Sequence, residues 1–164
     1  MADMAANTVT VKMAGMDVVS DGSRLKTILG SCLGVILHDP NCRMSGMAHI
    51  MLPAQHHDDG ATGKYVDTAI PALLARLTSR GSNLFSLQAY LVGGAQMFPM
   101  GNVKLASIGE QNVQAARRIL SESKIPIVFE DTGGMTGRTV MFNNATGEVS
   151  VQTLQAIKRN GNVL

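Results

Sequence analysis

Tryptophan is absent from this sequence, and tyrosine and phenylalanine bring aromatic content to only 4%. That removes the stacking platforms on which single-stranded nucleic acid is usually held. Charge is also sparse, at 16% of residues with a net value of +2. The basic residues Lys104, Arg117, Arg118, Lys158 and Arg159 form no long run. No nucleic-acid partner is expected. Cysteine occurs twice, too few for a disulfide framework. No apolar stretch approaches transmembrane length. The first residues, Met1 to Asn7, have neither the basic nor the apolar region of a signal peptide. These absences predict a cytoplasmic protein with free thiols and no membrane insertion.

What is present is a chain of 164 residues with 45% hydrophobic content, enough for one domain with a real core. A single domain over 1–164 is expected, with a polar, flexible tail from about Lys158. The eleven methionines read as core gap-fillers.

Thr8 to Met13 alternates and predicts an opening strand, with a polar connector over Asp17 to Ser23. Val66, Ile70, Leu73, Leu74 and Leu77 share one helical face, so Tyr65 to Ser79 predicts a helix. Pro71 inside it implies a kink or a late start. A second helix is expected over about Gln111 to Ser123. Strands are expected over Leu84 to Val92 and Ile125 to Glu130. Thr139 to Asn143 and Glu148 to Thr153 form a hairpin around Asn-Asn-Ala-Thr-Gly. Many strands and two helices without strict alternation predict an α+β fold.

Two apolar runs, Cys32 to Leu37 and Arg43 to Leu52, flank a turn-rich His-Asp-Pro-Asn-Cys segment and predict a further hairpin. With Leu37 facing Met44, the count brings Cys32 opposite His49, at a Cβ separation of roughly 4.5–5.5 Å. A thiol and an imidazole at that spacing make a nucleophile and base. The pairing should draw the Cys32 thiol below the ~8.5 of a free cysteine. Each residue also has a plainer reading, Cys32 as a small buried hydrophobe and His49 as a strand histidine bonded to backbone. His38 is the rival imidazole, placed at the turn. Cys42 lies there too, about five residues at ~3.3 Å each from Cys32, beyond disulfide reach. His56, His57, Asp58 and Asp59 read as a solvated loop, with no metal-ligand spacing. Backbone N–H groups around Ser31 and Cys32 are the candidate oxyanion donors, with Ser31 as a substrate-binding residue. Gly93-Gly94-Ala95 and Asp131-Thr132-Gly133-Gly134 read first as turns, with Arg138 able to pair with Asp131.

Leu29-Gly30-Ser31-Cys32, Asp39-Pro40, and Gly46-x-x-His49-x-Met51-Leu52-Pro53 resemble CheD, the chemoreceptor glutamine deamidase family of bacterial chemotaxis. The resemblance continues through Tyr65-Val66-Asp67, Gly93-Gly94-Ala95-x-Met97, Ile108-Gly109-x-x-Asn112, Asp131-x-Gly133-Gly134-x-x-Gly137-Arg138 and Thr146-Gly147. It implies β-sandwich-like mixed sheets with helices layered on them, similar to the catalytic domain of the cytotoxic necrotising toxins. It further implies a cysteine amidohydrolase that converts receptor glutamines to glutamate and ammonia, with no cofactor and no metal. Chemoreceptor cytoplasmic domains and a CheC-type phosphatase are the implied partners. The alternative readings are a regulatory module that docks on those partners with little turnover, and a small-molecule amidase. The family places a threonine shortly before Gly-Ser-Cys, and Thr27 is the only one there. An ungapped match would put Lys26 in its place, and a lysine cannot accept a hydrogen bond.

Overall fold

Two central strands with no polar face dictate the layering. In the computed structural model, which describes residues 7–98, 105–154 and the backbone at 158–159 and 162–163, β4 (Leu33–Asp39) and β5 (Met44–Ile50) are buried at every position. Strands of that kind must be covered on both sides. Before them come β1 (Thr8–Thr10), β2 (Met16–Val19) and β3 (Arg24–Leu29). After them come α1 (Val66–Ser79), β6 (Gln88–Gly93), α2 (Ile108–Glu122), β7 (Ile127–Thr132), β8 (Arg138–Asn143) and β9 (Glu148–Thr153). One sheet has five strands in the order β2-β5-β4-β6-β7, the other four in the order β1-β3-β8-β9. Both are mixed, since β6–β7 and β1–β3 run parallel.

Two cores follow from the alternation of β4 and β5. Leu33, Val35, Leu37, Ala48 and Ile50 pack with Ile70, Leu73 and Leu77 of α1 and with Val113, Ala116 and Leu120 of α2. On the opposite face Ile36 and Met47 meet Leu25, Leu29, Val140 and Phe142 of the four-stranded sheet. The order is helices, five-stranded sheet, four-stranded sheet, which is the α+β class expected.

Several local expectations are corrected. The connector read over Asp17 to Ser23 begins instead as a strand, Met16–Val19, because β5 supplies its hydrogen bonds along Met16↔Ala48 to Val19↔Ser45. The β4–β5 register pairs Leu37 with Gly46, not Met44, and the true end of the hairpin is Asp39↔Met44. Cys32 is therefore not directly opposite His49. Leu84–Ser86 is a 3₁₀ turn ahead of β6, and Thr62–Lys64 is another, following the loop at His56 to Asp59. Pro71 delays nothing: α1 begins at Val66 and carries the proline inside. Gly81, at φ +109°, closes α1 with Gly81 N–H on Thr78 O and Ser82 N–H on Leu77 O. The flexible tail expected from about Lys158 lies outside the described residues, apart from backbone pairing of Lys158–Arg159 with Asn162–Val163.

Candidate active site

β3 alternates in the usual way, with Leu25, Thr27 and Leu29 turned inward and Ile28 exposed. Thr27 thus enters the gap between the sheets, and Lys26 does not. His49 enters the same gap from β5, since it pairs with Gly34 and shares the face of Met47 and Ile36. Thr27 and His49 are 2% and 4% exposed. Their side chains meet, with Thr27 Oγ1 to His49 Nδ1 at 2.7 Å.

The direction of that bond is fixed by a third group. Thr27 Oγ1 also lies 2.8 Å from the Val11 carbonyl, which can only accept. The hydroxyl has one proton and gives it to Val11. It must therefore accept from His49, so Nδ1 carries the imidazole proton and Nε2 carries the lone pair. His49 Nε2 is buried and has no partner among the described residues. Residues 11–15 bind both sides of the gap. Val11 O takes the Thr27 proton, Gly15 O accepts from His49 N–H at 3.0 Å, and Ala14 N–H donates to His49 O at 2.9 Å. Ala14 holds a left-handed φ of +62° to make this crossing.

Cys32 sits in the bend between β3 and β4 and packs partly against the inter-sheet core. The observed ladder begins one residue later, at Leu33↔Ile50, with Gly34 opposite His49. Continued by one step it would set Cys32 diagonal to His49, a relation of about 7–8 Å between Cα atoms in a regular ladder. The shift from expectation is two residues, and an even shift preserves which face a side chain takes. Cys32 packs against the same inter-sheet core that His49 enters, although the two are not opposed. Burial pushes the Cys32 thiol up from its ordinary value. This reverses the expectation that pairing would draw it down. Burial also holds the His49 imidazole below its usual range. Both shifts favour the neutral forms of the thiol and the imidazole.

The Gly30–Cys32 bend is pinned from behind. Ala95 N–H donates to Gly30 O at 3.0 Å and Gly94 N–H to Cys32 O at 2.9 Å. Gly93 is obligatory here. Its φ is +110°, and a Cβ would lie 2.5 Å from the Cys32 carbonyl oxygen. The Ser31 carbonyl accepts from Asn112 Nδ2 of α2 at 3.3 Å. Met97 rests beside Gly30, 3.5 Å from where a Cβ would be, and Leu154 approaches Gly137 nearby. Met97 and Phe98 are 41% and 81% exposed.

The remaining expected residues separate from this place. His38 is at the other end of the hairpin, with Nδ1 2.7 Å from Ser45 Oγ. Cys42 is exposed, and both cysteines are free. Asp59 is engaged by Tyr65 Oη at 2.5 Å and Lys64 Nζ at 3.6 Å. No group of three metal-ligating side chains occurs among the described residues. Arg138 does pair with Asp131, at 2.8 Å. Asn112 was missed as a site neighbour. Its position one turn before Ala116, on the inward face of α2, was the available signal.

Comparisons with known proteins agree over nearly the whole chain. A family model described as CheD chemotactic sensory transduction matches residues 51–153. The chain is similar to the chemoreceptor glutamine deamidase CheD of Halalkalibacterium halodurans, 42% identical over 158 residues, covering 90% of this chain and 94% of the relative. Similarity to the probable chemoreceptor glutamine deamidase CheD of Moorella thermoacetica is 43% over 151 residues, with 89% and 90% covered. A Methanococcus vannielii protein, also described as a probable chemoreceptor glutamine deamidase CheD, is 38% identical over 149 residues. Among solved structures, a Neisseria meningitidis protein described with the family name DUF152 superposes with a TM-score of 0.50 at 13% identity. That match covers 80% of this chain and 65% of the other, and it speaks to the fold alone. No helix among the described residues is long and apolar enough to cross a membrane.

Proposed function

The chain belongs to the CheD family, and on that footing we propose that it is a cytoplasmic protein-glutamine deamidase that hydrolyses side-chain amides of chemoreceptors to glutamate and ammonia. The observation that carries the mechanism is the Nε2 of His49, without a partner among the described residues and held in the basic tautomer by Thr27, in the inter-sheet core against which Cys32 packs.

Cys32 is the nucleophile. As its sulfur attacks the amide carbon, its proton passes to His49 Nε2. With the thiol raised and the imidazole lowered by burial, the proton moves during attack rather than before it. The carbonyl oxygen becomes an oxyanion beside the N–H groups of Ser31 and Cys32. The C–N bond breaks as the imidazolium returns its proton to the departing nitrogen, leaving a thioester. Water then attacks that thioester, giving up a proton to Nε2. Collapse releases glutamate, and the thiol recovers its proton. Thr27 carries no charge through the cycle. It keeps Nδ1 protonated, so that Nε2 is always the nitrogen that works. Cys32, His49 and water handle every proton, so the cycle needs no cofactor or metal.

A protein substrate fits the surroundings of Cys32. Met97, Phe98 and Leu154 put exposed apolar surface near the Gly30–Cys32 bend, and apolar rims of this kind accept other proteins. Docking on receptors or on a CheC-type phosphatase without turnover would use the same rim, but it leaves the free imidazole nitrogen without a purpose. The deciding experiment incubates the protein with cytoplasmic fragments of chemoreceptors and maps Gln-to-Glu conversion by mass spectrometry. Conversion that disappears in Cys32→Ala is expected. Binding without conversion would favour the docking module.

A further inference from the structure

Asn112 is wholly buried on α2, yet it is a polar side chain in an otherwise apolar helix face. Its Nδ2 donates to two carbonyls, Ser31 O at 3.3 Å and Met51 O at 3.1 Å. Those acceptors fix the amide's orientation, because only the NH₂ can serve both. One carbonyl immediately precedes Cys32, and the other lies two residues beyond His49. A single side chain therefore joins the carrier of the thiol to the carrier of the imidazole. Its Oδ1 has no partner among the described residues, so one buried acceptor is left unsatisfied, an arrangement with a real cost.

The consequence for the reaction comes from peptide geometry. In a trans peptide the C=O and N–H of one plane point in opposite directions. Drawing the Ser31 carbonyl toward α2 turns the Cys32 N–H away from α2. The neighbouring planes are held in the same manner by Ala95 N–H on Gly30 O and Gly94 N–H on Cys32 O. Among the described residues, neither Ser31 N–H nor Cys32 N–H makes a hydrogen bond. The bend thus has its carbonyls tied back and two donors left over. Of the three ties, only the middle one comes from a side chain.

We propose that Asn112 is a positioning residue for the deamidation step, holding the Ser31–Cys32 peptide so that its N–H meets the developing oxyanion. The proposal rests on the deamidase reading above.

Alkylation separates this role from a purely structural one. Displacement at iodoacetamide carbon forms no oxyanion, whereas deamidation does. In Asn112→Ala, kcat on a receptor fragment should fall about 10²–10³-fold, the usual scale for losing an oxyanion donor. KM and the rate and pH profile of Cys32 alkylation should stay within a few-fold of the unsubstituted protein. Asn112→Ser, a smaller change that keeps a polar side chain, should show the same split with a smaller kcat loss. Unchanged kcat, or parallel losses in kcat and alkylation, would overturn the proposal alone. Failure of both variants to fold would assign Asn112 to the core and overturn it as well. If the unsubstituted protein converts no receptor glutamine, the function reading falls, and this proposal falls with it.

Discussion

The β4–β5 hairpin carries a buried imidazole bonded to a hydroxyl at each end, and the two ends differ in what the second ring nitrogen meets. At one end His49 Nδ1 donates to Thr27, which passes its own proton to Val11 O. At the other, His38 Nδ1 donates to Ser45, which gives its proton to Asn144 Oδ1. Asn144 spends both amide protons on Asp21 O and Arg43 O. The tautomer is the same in both rings, and both are 4% exposed. Beyond that they diverge. His38 lies edge-on to Phe142 with centroids 5.1 Å apart, and its Nε2 is backed closely by Gly147. His49 Nε2 has no hydrogen-bond partner among the described residues, and the partly buried Cys32 packs against the core it enters. Orienting an imidazole through a hydroxyl is therefore not by itself a mark of reactivity. What separates them is the setting of the second nitrogen: His49 Nε2 is buried without a partner among the described residues, whereas His38 Nε2 lies against the Gly147 turn.

The sharpest way to break this contrast is Cys32→Ala. Loss of the nucleophile should cut kcat by up to ~10⁶, with melting temperature and circular dichroism unchanged. Retained conversion of receptor glutamines, read by mass spectrometry, would remove the thiol mechanism.

Next come the two histidines. His49→Ala should slow deamidation by ~10²–10⁴, the share of a general base. His38→Ala should leave kcat within a few-fold but lower stability by about 1–3 kcal/mol in urea titrations, because Ser45 and its buried partners lose a donor. If His38→Ala abolished activity with the fold intact, the assignment of the two ends would be wrong. The hydroxyls sharpen the same point more gently. Thr27→Val should lower kcat roughly 10–100-fold, the usual scale for losing the group that orients an imidazole, with little change in KM. Ser45→Ala should leave kcat unaltered.

The smallest effect is on pH. Both imidazoles are held below the ordinary 6.5, His38 and His49 alike mainly by burial. The unfolded chain therefore binds more protons than the folded one as pH drops below 6.5. Their contribution to stability is complete above that value and is lost as pH falls through each folded value. Thermal melts should show an acid slope that either alanine variant reduces. The acid limb of kcat/KM should lie below 6.5, where His49 is protonated. Cys32 alkylation should titrate above the ordinary thiol value. A titration below it would return the site to a preformed ion pair.

The sequence made the hairpin, both helices and the β8–β9 turn readable, because each rests on local periodicity or turn chemistry. Its register was not readable, and the reason lies in His38 and Asp39. They look like turn residues, but they are buried strand residues whose partners are remote. Ser45 and Asn144 serve His38 directly and through Ser45, and Asn83 N–H binds Asp39 at 3.0 Å. β2 escaped notice for a related reason, since only β5 gives Met16–Val19 its ladder. Thr27 against Lys26 could not be separated by spacing alone, and the alternation of β3 separates them by face. Asn112 was visible as a motif letter with no task, because its acceptors lie 61 and 81 residues away.

The Thr27–His49 bond joins strands of different sheets and closes over 22 positions of chain. Neither sheet alone contains it, and the crossing at residues 11–15 exists only when both are docked. During refolding the pair cannot form with local structure and must wait for the long-range closure, which is slow in sheet-rich topologies. Recovery of activity therefore clocks sheet docking, not strand formation. An expanded acid state that keeps its secondary structure but loosens its packing would look native in the far ultraviolet and be silent as an enzyme.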